Sequence, residues 1–317
     1  MKPPYEITTT ILKLVSSISE KLGAVSANLL NKPSPYLRKQ NQIKTIQSSL
    51  AIEGNSLNYM QVTAIIEKKR VLGKEKDIKE VLNAIEVYEN LDSFNPTSSE
   101  SFLKAHKILM TGLIEKPGKY RNKGVGIFKG SEVSHVGPPA ENVHFLMRNL
   151  FNYLKNENEL SLIKGCVFHY EMEFIHPFLD GNGRMGRLWQ SIILMQEYSV
   201  FGFLPLETLI SKNQKTYYKA LETSDKQGKS TFFIEYMLGV INEALNELLD
   251  FNQKIFTDID RLNYFISLGK KKFTRKDYLN IFKNISSATA SRDLKKGTDL
   301  TLFEKKGDKN QAFYITH

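Results

Sequence analysis

"HPFLDGNGRMGR", residues His176–Arg187, places a histidine, a carboxylate, an amide, three glycines and two arginines within twelve positions. The stretch that follows, "RLWQSIILMQEY", has apolar residues at helical spacing, so the glycine loop opens onto a helix N-terminus. Backbone N–H groups exposed at such an end form an anion site. Gly181 and Gly183 permit close backbone approaches that side chains would block. Arg184 and Arg187 are three apart, hence neighbours on the first turns, and two guanidiniums there repel each other unless an anion lies between them. A di- or triphosphate meets that requirement, with Asn182 offering an amide donor. Asp180, the one negative group of the loop, would be repelled by phosphates unless Mg²⁺ bridged them, and Mg²⁺ sites commonly use one or two carboxylates plus phosphate oxygens. His176 is the group able to take a proton near neutral pH. Together these residues suit attack of a hydroxyl on a metal-bound nucleotide phosphate.

Residues Gly181–Gly186 also spell G-x-G-x-x-G. A dinucleotide fold needs a buried strand before the glycines, and here "YEMEFIHPF" carries Pro177 within helical surroundings, which excludes that reading. The rest of the chain is mainly helical in pattern. "DIKEVLNAIEVYENL" sets Ile78, Val81, Leu82, Ile85 and Val87 or Tyr88 on one stripe, and "PTSSESFLKAHKILM" opens with capping residues before Phe102, His106, Ile108 and Leu109. "TFFIEYMLGVINEALNELLDF" is a further long core helix. The clearest strand signal is "GVGIFKGSEVSHVGPP", two β-type runs around Lys129-Gly130-Ser131 that read as a hairpin.

At 317 residues the chain can bury one large core, or one core plus a smaller module. Its 41% hydrophobic and 25% charged content is that of a globular protein. The single cysteine, Cys166, cannot form an internal disulfide and lies in the apolar run "CVF", which suits a core thiol in a reducing compartment. No apolar run is long enough to span a membrane, and Ile7, Ile11, Val15, Ile18 and Leu22 recur at helical spacing with no cleavage site after them. A cytoplasmic location without membrane contact is expected. The net charge is +10, and from Phe251 onward there are 14 Lys/Arg against 7 Asp/Glu, so the basic character belongs to the C-terminal end. There, "FTRKDYLNIF" and "ISSATASRDLKKGTDL", capped by Ser286 or Ser287, read as two helices. "LTLFEKKGDKNQAFYIT" reads as two strands about a turn. That order is the order of a winged helix-turn-helix, with Ser287, Thr289, Arg292, Lys295 and Lys296 on the second helix. DNA, another protein or a second copy of the chain would each suit such a module. The expected layout is 1–97 N-terminal helical region, 98–250 core, and 251–317 basic module.

HPFLDGNGRMGR resembles the signature of the Fic (Fido) family, H-x-F-x-D/E-G-N-G-R-x-x-R, at every defined position. The resemblance implies a Fic-type helical core with a β-hairpin flap, and transfer of AMP from ATP to a Ser, Thr or Tyr hydroxyl of a target protein. It implies that His176 deprotonates that hydroxyl and that Asp180 holds Mg²⁺ against the α- and β-phosphates. Gly181, Asn182 and Gly183 would form an anion hole. Arg184 and Arg187 would grip phosphates, with Gly186 in the same binding stretch, and Phe178 would pack beneath the loop. The glycine at 183 resembles the adenylylating branch, since the phosphorylating branch carries lysine there. The flap, Ile127, Phe128, Lys129 and Gly130, would align an extended target segment by main-chain hydrogen bonds. "KTYYKAL" resembles the stretch whose first tyrosine, Tyr217, lies by the nucleotide base, and the asparagine often found further on is replaced around Asp225.

"SSLAIEGN", Ser48–Asn55, resembles the family's inhibitory motif S/T-x-x-x-E-G/N. Ser49 and Glu53 are i and i+4 on one helix face, in a helix that Gly54 would end. A carboxylate brought to Arg187 as a bidentate pair would take the space of the γ-phosphate and misalign the α-phosphate. The expectation is a self-inhibited protein adenylyltransferase. Its alternatives are the reverse hydrolase that removes AMP, and a DNA-binding regulator with a nucleotide-sensing Fic core.

Overall fold

The computed structural model describes residues 2–27, 35–129, 132–156, 158–253, 257–267, 270–282, 285–307 and 312–316. In chain order its first helices are α1 (Thr9–Ala27), α2 (Pro35–Ile52), α3 (Tyr59–Ile66), α4 (Glu75–Glu89) and α5 (Ser99–Met110). A hairpin of β1 (Gly126–Lys129) and β2 (Glu132–Val136) follows, then α6 (Val143–Asn156), α7 (Ser161–Ile175), α8 (Asn182–Met195), α9 (Leu206–Lys212), α10 (Gln214–Gln227) and α11 (Thr231–Gln253). The remainder runs α12 (Asp258–Ser267), β3 (Lys272–Phe273), α13 (Arg275–Ile281), α14 (Ser287–Asp299), β4 (Phe303–Lys306) and β5 (Phe313–Thr316). The chain is mainly helical, and among the described residues no helix is long and apolar enough to cross a membrane. It divides into a large and a small compact unit with a boundary at Leu249/Asp250, and the large one holds most of both the 1–97 and the 98–250 segments.

Helices α7 and α8 pack on each other at the centre of the large unit. Both are buried on nearly every side, α7 through Cys166, Val167, Phe168 and Met172, and α8 through Met185, Leu188, Trp189 and Leu194. Helices apolar all round belong in an interior, and each such side chain contributes about 1.5–3 kcal/mol on leaving water. Gly186 sets how closely they approach, because a Cβ there would stand 2.7 Å from the His169 ring. Phe102 of α5 joins them through an aromatic cluster, with Phe178 stacked on it at 5.4 Å and Trp189 edge-on at 5.0 Å. The floor under the His176–Arg187 loop is therefore rigid before any polar contact is counted.

Helix α5 is capped by Ser98, whose hydroxyl accepts the Ser101 N–H at 3.2 Å. Helix α4 departs from the expected stripe. Leu82 is exposed, and the buried face carries Asp77, Glu80, Val81, Asn83, Ala84 and Val87. The polar members face inward because each has a partner there, Asn83 Nδ2 donating to the carbonyls of Leu109 and Thr111 at 3.0 and 2.9 Å.

In the small unit β5 lies between β3 and β4, antiparallel to both. Strand β3 adds an element to the expected helix, helix, two-strand order. Ser286, rather than Ser287, is the cap of α14 and accepts the Thr289 N–H at 3.0 Å. The core is Leu262, Phe265, Phe273, Tyr278, Ala290, Leu294, Phe303 and Tyr314. Arg261 makes two hydrogen bonds to the buried Asp293, at 2.7 and 2.9 Å.

Candidate active site

The chain leaves α7 at His176 in the left-handed region, φ 49°, and enters α8 through Gly181, φ 86°. A left-handed non-glycine residue needs external support, and Arg121 gives it. This 3% exposed side chain donates from Nε to the His176 carbonyl at 2.7 Å and from Nη2 to Pro138 O at 2.6 Å. The Arg121 N–H donates to Pro177 O at 2.8 Å. One guanidinium thus ties the histidine to the segment leaving the β1–β2 hairpin. His176 Nδ1 faces the Glu173 carbonyl at 3.3 Å, which puts its proton on Nδ1 and makes Nε2 the basic nitrogen.

The loop is closed from inside. Asn182, 2% exposed, accepts the Phe178 N–H on Oδ1 and donates from Nδ2 to the Phe178 carbonyl, both at 2.9 Å. Its amide is therefore spent on loop geometry rather than pointed at a ligand. Phe178 is fully buried beneath the loop and stacks on the His106 ring at 3.5 Å. His106 Nδ1 accepts the Gly118 N–H at 2.9 Å, so the neutral ring carries its proton on Nε2, which donates to the Asp180 carbonyl at 3.0 Å. Burial holds the His106 pKa down to about 4. The helical pattern puts His106 on a core stripe, and only tertiary packing joins it to the loop.

Asp180 and the two arginines sit around the start of α8. Asp180 Oδ1 accepts the Gly181 N–H at 2.6 Å and Arg184 Nη2 at 3.0 Å, and its side chain is 47% exposed. Arg184 also reaches Glu80 of α4, Nη1 to Oε1 at 3.2 Å, while its buried Nε has no protein partner. An orphaned guanidinium N–H beside a helix N-terminus fits an anionic ligand. The half-exposed Asp180 carboxylate is of the type that holds Mg²⁺ together with phosphate oxygens; among the described residues no group of three or more His, Cys, Asp or Glu could cage a metal.

Arg187 faces a carboxylate of the chain itself. Its Nη2 donates to Glu53 Oε1 at 2.8 Å and to the Ser49 carbonyl at 3.0 Å, and its Nε donates to Ser49 Oγ at 3.2 Å. The expected pair is bidentate; the observed one uses a single Glu53 oxygen on Nη2, while Ser49 accepts from Nε and shares Nη2. The same Oε1 lies directly over Gly183, where it is the first atom a Cβ would meet. Glu53 thus stands at the start of α8, where an anion belongs. It is placed by Gly54, φ 88°, and by Asn55, whose Nδ2 donates to Glu80 Oε2 at 2.8 Å and to the Asp77 carbonyl at 3.0 Å. Glu80 therefore joins the Glu53 turn to Arg184.

Gly186 faces His169 and Glu173 of α7. Tyr217 is 1% exposed and its hydroxyl meets the core His169 Nε2 at 3.1 Å, whereas its neighbour Tyr218 is exposed. Ile127, Phe128 and Lys129 lie on β1, paired with His135, Val133 and Glu132, with an irregularity between Ile127 and Phe128. Their side chains, and Gly130 altogether, are outside the described residues.

The Fic/DOC family profile matches residues 96–194, a span that holds the whole loop. A Fic family protein from Desulfovibrio desulfuricans G20 is 38% identical, with a TM-score of 0.78 over 100% of this chain and 98% of that one. Fic-1 from C. elegans shares the fold, with a TM-score of 0.64 at 20% identity over 77% of this chain and 73% of that one. A Drosophila mojavensis protein named protein adenylyltransferase Fic is 25% identical over 244 residues, 73% of this chain and 46% of that protein. The chain spans about half the length of the curated relatives it matches.

Proposed function

The chain belongs to the Fic family, and from that premise we propose that it is a self-inhibited protein adenylyltransferase, moving AMP from ATP to a Ser, Thr or Tyr hydroxyl of a target protein. The observation that carries this reading is Glu53 Oε1 seated over Gly183 and paired with Arg187. A carboxylate taken up by a helix N-terminus and a buried guanidinium marks a site built for anions, held by the chain's own anion.

In the reaction His176 Nε2 takes the proton as the target oxygen attacks the α-phosphorus. The bond to the β-phosphate oxygen breaks, and pyrophosphate leaves. The N–H groups opening α8, with Arg184 Nε, receive the negative charge of the phosphates. Mg²⁺, held through Asp180, neutralises phosphate charge when bound. Arg121 and Asn182 keep the histidine and the glycine loop in one geometry, and positioning of that kind is worth orders of magnitude in rate. Glu53 takes the place of the γ-phosphate beside Arg187, so nucleotide bound to the parent chain is misaligned. The test is intact-mass measurement after incubation with ATP and Mg²⁺. Glu53→Gly should gain AMP, and Glu53→Gly with His176→Ala should gain none; equal labelling of both sinks the proposal.

One observation favours a second direction. Glu53 engages Arg187 through Oε1 alone, and a carboxylate with its other oxygen outside the pair suits positioning a water for hydrolytic removal of AMP. Loss of AMP from a modified target treated with the parent chain would establish it. The small unit reads as winged-helix-like, with exposed Arg292 and Lys295 on α14 and Lys305 and Lys306 on β4. Such a surface suits duplex DNA, and a steep fall in affinity with salt would support that contact.

A further inference from the structure

Behind the Glu53–Arg187 pair lies a cavity of about 390 Å³. Its lining includes Gln42 and Thr45 of α2, Tyr88 of α4, Ser191 and Met195 of α8, and Glu207 of α9. Two of these lie close to the pair along their helices: Thr45 is one turn before Ser49, which bonds Arg187, and Ser191 is four residues after Arg187. Glu207 is 2% exposed, and although its Oε1 accepts the Tyr88 hydroxyl at 3.2 Å, its buried Oε2 has no partner. Burial pushes its carboxyl up to about 7, against the weaker opposing pull of Arg187. A buried carboxylate oxygen left unpaired is costly unless something else completes it.

The charges around it define the missing group. Glu89 and Asp92 line the cavity from exposed positions, and among the described residues the lining cation, Arg38, is exposed as well. Among those residues three carboxylates therefore face one guanidinium. Met195, Phe201, Phe203 and Leu204 supply apolar wall, and the volume is that of a small-molecule site. A buried acceptor, an apolar wall and an acidic lining call for an ammonium group on a short hydrocarbon chain.

We propose that this cavity is a second ligand site, taking a small aliphatic amine whose ammonium group pairs with Glu207 and whose methylene chain lies along Met195 and Phe203. Occupation holds α2 against α8 and α9, because the ligand touches all three in the arrangement that keeps Glu53 on Arg187. The coupling has a visible path. Ser48 Oγ donates to Thr208 Oγ1 at 3.3 Å, next to Glu207, and the Tyr88 hydroxyl interacts with Ser49 as well as with Glu207. A ligand that binds this arrangement must favour it. This link to inhibition rests on the reading of Glu53 given above; the site itself does not.

Titration calorimetry of the full chain with cadaverine is expected to show saturable one-to-one binding, and hexanoate, a similar chain with an anionic head, to show none. Glu207→Gln keeps the shape and removes the charge, and should weaken cadaverine at least about tenfold. Gln42→Trp fills the half-buried side with Glu207 intact and should abolish binding; ligand-free melting of both variants verifies folding. No saturable heat with the parent, or equal affinity in Glu207→Gln, overturns the site. In Glu53→Gly, where Arg187 loses the carboxylate that follows α2 and keeps only its bonds to Ser49, cadaverine should bind several-fold more weakly. Equal affinity there overturns the coupling. Calorimetry reads binding and not transfer, so failure of the adenylyltransferase reading would show separately, in the mass measurement.

Discussion

The loop from His176 to Arg187 and the segment from Ser49 to Glu80 meet at α8, yet they are held together in opposite ways. Within the loop the partners are near in sequence: Phe178 with Asn182 and Asp180 with Arg184 are each four residues apart. In the inhibitory segment the partners are far: Glu53 reaches Arg187 across 134 residues, and Asn55 reaches Glu80 across 25. The loop is braced from within and by Arg121 and His106, neither of which belongs to the inhibitory segment, so it persists if that segment moves. The inhibitory carboxylate holds its place through bonds to distant parts of the chain, so it is the part that can let go. A braked enzyme needs that asymmetry, a rigid site under a releasable carboxylate.

The comparison breaks hardest at the histidine. In a Glu53→Gly background, His176→Ala should lower AMP transfer by about 10²–10⁴-fold, measured with labelled ATP, with little change in melting temperature. Next in size, Asn182→Ala opens the loop from within. Both Phe178 backbone groups lose buried partners at about 1–3 kcal/mol each, and transfer should drop roughly a hundredfold as the histidine and α8 drift apart. Calorimetric melting and single-turnover rates check the two parts. On the other side of the comparison, Asn55→Ala leaves the loop intact and loosens only the turn that presents Glu53. It should raise auto-adenylylation by several-fold, less than Glu53→Gly does; a fall in activity would show that the turn supports the site instead of restraining it.

A smaller effect is set by pH. Folded His106 is neutral down to about pH 4, whereas the unfolded histidine takes a proton below about 6.5. The unfolded state then binds more protons, so His106's contribution is complete above about pH 6.5 and is lost as pH falls towards 4. The slope is about 1.4 kcal/mol per pH unit. Relative to His106→Asn, the parent should lose denaturant stability over that window and keep a constant difference above it.

The same contrast explains what could be read in advance. The loop was legible because its chemistry is crowded into one stretch, where glycines, arginines and a carboxylate have few alternative explanations. The Ser49–Glu53 spacing was legible through resemblance, though not the single-oxygen pairing, which depends on how Ser49 shares the Arg187 fork. Arg121, His106 and Glu80 were missed. Each is an ordinary residue in an ordinary pattern until tertiary packing brings it to the loop, and polar Asp77, Glu80 and Asn83 even turn α4 away from its apolar stripe. The one available signal was a helix face that reads as polar yet has no reason to face solvent. Asn182 was placed by residue type and Tyr217 by resemblance; in the structure the Asn182 amide bonds Phe178 and the Tyr217 hydroxyl meets His169.

The most direct trial is the rate of labelled AMP incorporation by the parent and by Glu53→Gly, run side by side at saturating ATP and Mg²⁺. If Glu53 holds the seat of the terminal phosphate, the variant is faster by roughly a hundredfold. Equal rates would mean that the carboxylate over Gly183 restrains nothing.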